Sequence, residues 1–191
     1  METTTNNQNS KISLPEFSFF RAPIINVKPY KSINIVEAYY YIRGRYAIAQ
    51  TDALRTLSDI KERRTFKAAR FDYCTFSGVF TTRNDNALVR HSGLLCLDFD
   101  HLHDVEATAI KLLGDDYFET QLLFRSPSGD GLKWIIEVDV TPERPHQLYF
   151  NAVGRYIKQR YNLEIDRSGK DISRACFLPH DQNVFINTKY F

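Results

Sequence analysis

Residues 93–100, Gly-Leu-Leu-Cys-Leu-Asp-Phe-Asp, set the tightest limit on how this chain folds. Apolar side chains occupy both alternating positions, so a strand here must be covered on both faces and belongs in the middle of a sheet. It ends in Asp98 and Asp100, which point to the same face because side chains alternate, with Phe99 on the other.

With 191 residues, of which 43% are apolar, the chain can bury one sizeable core. A single domain is therefore expected over residues 14–191, preceded by a polar, disordered tail over residues 1–13. The formal net charge is only +2, so contact with nucleic acid must come from a local basic patch rather than from a global field. No apolar run approaches the roughly 18 residues that span a bilayer, so no membrane is expected among its partners. The first residues lack the apolar core of a signal peptide. Cys74, Cys96 and Cys176 are odd in number, distant in sequence and free of CxxC spacing. That pattern fits a reducing, cytoplasmic setting, with Cys96 a small buried apolar side chain.

A leading strand is expected within residues 17–27. Asn34 and Glu37 form a capping box for a helix that Gly44 stops. A second helix is expected over residues 51–64, with Leu54, Leu57 and Ile60 inward. Residues 73–83 and 87–90 read as a hairpin around Asn84-Asp85-Asn86. Asp104 caps the next helix, whose inward residues are Val105, Ala109, Leu112 and Leu113, and Gly114 ends it. Strands follow over residues 120–125 and 132–140. Thr141-Pro142 opens the last long helix, with Leu148, Ala152, Val153, Tyr156 and Ile157 as its stripe. Short strands over residues 163–166 and 174–178 complete the chain. The order predicts an α+β fold with helices on one face of a mainly antiparallel sheet.

Two carboxylates at the end of an apolar strand repel each other unless a cation lies between them. Hard oxygen donors of this kind suit Mg²⁺ or Mn²⁺; acids that simply leave the sheet into solvent account for the same residues. Ser126-Pro127-Ser128-Gly129-Asp130-Gly131 is a tight turn whose glycines permit backbone N–H groups to face an anion, or it is an ordinary hairpin. Lys133, just beyond, is a fixed cation suited to phosphate. Asp166, Asp171 and Arg174 follow within a short stretch. Arg174 beside a buried strand needs an anionic partner, for which Asp171 is one candidate. The cations Arg63, Arg64, Lys67 and Arg70 read either as a solvated helix end or as a phosphate-binding patch.

Taken in order, the run Leu95-Cys96-Leu97-Asp98-Phe99-Asp100, the run from Ser126 to Lys133, and Asp166 with Asp171-Ile172-Ser173-Arg174 resemble the archaeo-eukaryotic primase (prim-pol) superfamily. Gly78-Val79-Phe80 and Arg83 add a likeness to its VirE N-terminal-like family of bacterial mobile elements. The resemblance implies an RRM-like catalytic core and a primase/polymerase-type nucleotidyltransferase. Its substrates are then nucleoside triphosphates on a single-stranded DNA or RNA template, beside a helicase domain or protein of the same element. In that reading Asp98, Asp100 and either Asp166 or Asp171 are catalytic and hold the metals. Ser128, Gly129, Lys133 and Arg174 hold the nucleotide, and Arg63, Arg64, Lys67, Arg70 and Arg83 hold nucleic acid. Lys133 stands where most primases place a histidine. Two alternatives remain open: an inactive nucleic-acid-binding initiator or adaptor of the same fold, and a metal-dependent nuclease.

Overall fold

The computed structural model describes residues 14–191. The tail expected over residues 1–13 lies outside the described residues. The chain opens with β1 (Glu16–Phe20), β2 (Lys31–Asn34), α1 (Ile35–Arg43), α2 (Ile48–Thr56) and α3 (Ile60–Arg70). Next come β3 (Tyr73–Thr75), β4 (Gly78–Phe80), β5 (Leu88–His91), β6 (Leu94–Phe99) and α4 (Val105–Leu113). The remaining elements are β7 (Thr120–Arg125), β8 (Leu132–Glu137), α5 (His146–Tyr161), β9 (Cys176–Phe177) and β10 (Phe185–Ile186).

The strands form two four-stranded sheets, ordered β2-β1-β3-β9 and β10-β7-β8-β6, and a β4-β5 ribbon. Every strand pairing is antiparallel, so the fold is α+β with antiparallel sheets. Among the described residues no helix is long and apolar enough to cross a membrane.

The alternation in β6 explains the layering. Leu95, Leu97 and Phe99 face α4 and α5, where Leu112, Phe150, Val153 and Ile157 complete one core with Trp134. Leu94 and Cys96 face the other way, onto a second core built with Phe17, Phe19, Ile42, Cys74 and Phe76 from the other sheet and α1. The β6 sheet is thus covered by helices on one side and by a sheet with α1 on the other. Helices α4 and α5 lie on one face of this sheet, as expected, and the second layer is what a strand apolar on both faces needs. Asp98 shares the face of Leu94 and Cys96, so it points between the two sheets.

Several boundaries differ from the sequence reading. The leading strand ends at Phe20, and Asn26 Nδ2 donates back to the Arg21 and Ala22 carbonyls within the turn that follows; Pro23 has no N–H for a ladder. The expected second helix is two helices. Asp59 breaks it by capping α3, its side chain accepting from the Glu62 N–H at 2.8 Å. Ile60 is consequently exposed rather than inward. The hairpin's first arm splits into β3, which pairs with β1 and β9, and β4, which pairs with β5. Strand β8 stops at Glu137, and α5 starts at His146 rather than at Pro142. The Thr141 hydroxyl instead accepts from the Arg144 N–H and closes a turn. That later start rotates the buried stripe to His146, Phe150, Val153 and Ile157, leaving Leu148 exposed. Leu113 likewise lies outside the buried face of α4. No strand forms over residues 163–166, and the one expected over 174–178 shrinks to β9.

Candidate metal centre

Strand β6 delivers Asp98 and Asp100 to the mouth of the space between the sheets. A third acid reaches them by a main-chain contact: the Asp166 N–H donates to the Asp98 carbonyl at 2.8 Å. The carboxylates of Asp98, Asp100 and Asp166 then offer oxygens that all lie within 4.8 Å of one another. The choice between Asp166 and Asp171 resolves toward Asp166. Asp171 is exposed, ends the short turn over residues 167–170, and is not part of this trio.

Each acid has a different environment. Asp98 is largely buried, and its Oδ1 is enclosed without a hydrogen-bond partner. Burial raises its pKa and nearby Asp100 adds to this, while Lys133 opposes both. Asp166 is also partly desolvated, yet its pKa falls below the usual carboxylate range. The Ser168 hydroxyl and N–H donate to it at 2.5 and 2.9 Å, and the Arg174 guanidinium donates at 3.2 Å. Arg174 therefore pairs with Asp166. Its link to Asp171 is only main chain, Arg174 N–H to the Asp171 carbonyl at 3.0 Å.

Lys133 lies opposite Asp98 in the β6–β8 register, on the same face, and its ammonium forms an ion pair with Asp98 Oδ2. Burial alone would lower the Lys133 pKa, but Asp98 and its anionic neighbours more than offset it, and the ammonium is kept charged. Beneath this pair the three cysteines converge despite their sequence distance. Cys74 and Cys176 are register partners and Cys96 touches Cys176; all are free thiols.

The acids open into a cleft of about 430 Å³ whose walls carry Arg64, Lys67, Arg83, Lys133 and Arg174. An acidic floor ringed by cations matches a divalent ion held together with phosphate groups. Lys67 has a lowered pKa, from burial first and from Lys133 second. Two cations expected here have other duties. Arg63 donates to the Ser128 carbonyl at 3.0 Å. Arg70 lies outside this cleft, lining a separate hollow beside Arg21, Tyr41 and Asp72. One turn of α3 separates the two residues that do face the cleft, so only part of the basic run can serve it.

The turn over residues 126–131 is held from behind by its carbonyls. Arg55 donates to the carbonyls of Ser126 and Pro127, and Arg125 to that of Gly129. The Gly129 N–H donates to the Ser126 carbonyl at 2.9 Å, so it is committed inside the turn rather than aimed at an anion. The turn shows the cleft its hydroxyls instead: Ser128 Oγ lies 3.5 Å from Lys67 Nζ, and buried Ser126 Oγ has no partner. Gly131 presses on the strand end, since a Cβ there would sit 2.2 Å from the Phe99 carbonyl oxygen. Beside it the Leu102 N–H donates to the Asp130 carbonyl, and His101 Nδ1 lies 3.0 Å from Asp130 Oδ2. These ties hold the segment that carries Asp100. His101 is otherwise an exposed loop histidine.

Sequence reasoning missed Arg55, Ser126 and Ser168. The Asp-x-Ser spacing of residues 166–168 is the signature of a side chain closing its own turn and was available. Arg55 had no signal, being one polar residue on a helix.

A family profile described as "BT4734-like, N-terminal domain" matches residues 65–185, more than half of the chain. The chain belongs to this family. No curated protein and no solved structure matches it. The matched segment contains all three clustered acids, Lys133 and Arg174, and leaves out β1, β2 and α1, which build much of the second core.

Proposed function

We propose that this BT4734-like domain is a primase/polymerase-type nucleotidyltransferase with an RRM-like prim-pol core. Its substrates are nucleoside triphosphates and a single-stranded DNA or RNA template. The setting is cytoplasmic replication of a mobile element, with a helicase domain or protein of that element as partner. The observation that carries the reading is the convergence of Asp98, Asp100 and Asp166 under a ring of five cations.

The donor set fits Mg²⁺ or Mn²⁺: three hard carboxylates, one of them with an enclosed oxygen that has no partner. Held by Asp98, Asp100 and Asp166, such ions would lower the pKa of an attacking 3′-hydroxyl and offset charge on the leaving pyrophosphate. Arg174 and Lys67 hold the triphosphate by charge and position rather than by covalent chemistry. Lys133, held beside Asp98 in the wall of the cleft, adds a further fixed cation near the phosphates.

One observation favours a second reading. The Lys133–Asp98 ion pair already neutralises the first acid through its Oδ2, as suits a nucleic-acid-binding domain of the same fold that has given up catalysis. A nuclease would use the same acids for hydrolysis. Incubation with Mn²⁺, labelled nucleotides and primed or unprimed single-stranded DNA separates the three, run beside an Asp98→Asn, Asp100→Asn variant. Acid-dependent extension supports the polymerase and acid-dependent shortening the nuclease. Bound DNA with neither change leaves the binding domain and removes the first reading.

A further inference from the structure

The turn over residues 166–170 has two sides. Asp166 faces the acid cleft and is clamped there by Ser168 and Arg174. Arg167 and Lys170, from the same turn, line a different groove against α5. This groove encloses about 630 Å³, more than the acid cleft, and its opposite wall is a single stripe of α5. Gln147, Asn151, Arg155 and Lys158 recur at spacings of three and four residues and so stand on one face of that helix. The stripe extends about 16 Å at the helical rise per residue.

The chemistry of the groove is one-sided. Arg155, Lys158, Arg167 and Lys170 are all exposed cations. The one acid in the lining, Glu164, is neutralised by Lys158 at 2.7 Å. Arg155, Arg167 and Lys170 form no ion pair and no side-chain hydrogen bond among the described residues, unlike Arg63, Arg125 and Arg174, which are all engaged. The amides of Gln147 and Asn151 add donors and acceptors between the charges. An elongated, open trough of free guanidinium, ammonium and amide groups matches the repeating phosphates and sugars of a polynucleotide. Its shape does not match a compact single anion, and although Phe150 and Ile165 also line it, its exposed side chains are charged or amide.

We propose that the groove between α5 and the 166–170 turn is a seat for the phosphate backbone of a single-stranded polynucleotide, bound without regard to sequence. The inference deepens the nucleotidyl-transfer reading and rests on it only for what the strand is used for. Under that reading the bound strand is the template. The turn is then the shared wall between the strand and the acids, with Arg167 and Lys170 on one side and Asp166 on the other. The helix-end cations of α3 are not needed for this seat.

The test measures binding of a fluorescent single-stranded oligonucleotide by polarisation over a series of salt concentrations, without nucleotides or metal. The proteins are the wild type, an Arg155→Ala, Arg167→Ala, Lys170→Ala variant, and the Asp98→Asn, Asp100→Asn variant. All three groove residues are exposed, and circular dichroism checks that the variant stays folded. The groove variant is expected to lose at least tenfold in affinity. Its salt slope should fall by about 2, since each phosphate contact on a single strand contributes roughly 0.7. The acid variant should bind at least as tightly as wild type. Unchanged affinity and slope in the groove variant would overturn the proposal, as would a wild type that binds no polynucleotide. Equal competition by polyglutamate would also overturn it and mark the trough as a seat for acidic protein. If the groove variant loses binding while the wild type shows no acid-dependent extension, the seat stands and the polymerase reading fails.

Discussion

Lys133 and Asp98 sit opposite each other on neighbouring antiparallel strands, and the ammonium of one rests against the carboxylate of the other. Their side chains are 10% and 20% exposed, so neither charge can be handed to bulk water if its partner goes. The pair occupies the place where a cation would otherwise be needed between the acids. The stability of the fold therefore depends on the same carboxylate that a divalent ion would take up.

Lys133→Ala should destabilise the metal-free protein by about 3 kcal/mol, because it strands a buried carboxylate. Part of that loss should return when Mn²⁺ is added, since the ion can take over the role of the ammonium. Urea unfolding with and without Mn²⁺ reads both effects. A variant as stable as wild type in the absence of metal would show that the pair is well solvated.

Mn²⁺ itself should raise the melting temperature of the wild type by several degrees, as any ligand of the native state does. The gain should vanish in Asp98→Asn, in Asp100→Asn and in Asp166→Asn, and persist in Asp171→Asn. A thermal melt of the four variants decides it. Loss of the shift in Asp171→Asn with retention in Asp166→Asn would reverse the assignment of the third acid.

The two glycines of the 126–131 turn should respond differently to the same change. Gly131→Ala drives a Cβ into the Phe99 carbonyl oxygen, 2.2 Å away, and must push that backbone aside. A cost of about 2–4 kcal/mol is expected from overpacking against a main-chain atom. Gly129 has φ +85° but meets only the Arg55 side chain, at 3.1 Å. Gly129→Ala should cost about 1 kcal/mol, from the left-handed backbone. Denaturant midpoints of the two variants provide the comparison, and equal losses would contradict it.

Acid should weaken the fold through a histidine pair, His91 and His146, that touches the turn carrying Asp166 through Gly169. His91 Nε2 lies 3.2 Å from His146 Nδ1, and burial together with that neighbour lowers the His91 pKa from 6.5 to about 4. Burial lowers His146 as well, against a contact with the Gly169 backbone. A folded-state pKa below the unfolded one means that the unfolded chain takes the proton first. The contribution is complete above about pH 6.5 and is lost as pH falls toward about 4, roughly 2 kcal/mol for His91 once its partial exposure to solvent is discounted. His91→Gln should flatten that part of the stability profile. An unchanged slope between about pH 6.5 and about pH 4.5 would count against the pair.

What was legible in the sequence was whatever depends on neighbours along the chain. The Asn34–Glu37 capping box forms as read, with Asn34 Oδ1 accepting from two N–H groups and Glu37 returning to the Asn34 N–H. The side chain of Asp104 caps α4, and β6 and β7 run where alternation and apolar content place them. Asp98 and Asp100 share a site for the same local reason. Choices made by distant partners were not legible. Arg174 selects Asp166 over Asp171, Arg63 turns away to a carbonyl of another loop, and Arg55 reaches the same loop from α2. The glycine turn gave the right place, and of its two readings the Gly129 N–H follows the ordinary hairpin. Its composition signals tight backbone but cannot say whether N–H groups or carbonyls will face outward.

Because the third acid is fastened to the first by their own main chains, the trio exists only once the chain has come back from α5. A growing chain exposes Asp98 and Asp100 long before residue 166 is made, and during that interval it holds two acids with no anchor for a third. Synthesis runs from the N-terminus, so the three-acid cluster is completed late and in one step. The same bond ties the geometry of the cluster to the end of β6, so a shift of that strand end moves the first and third acids together.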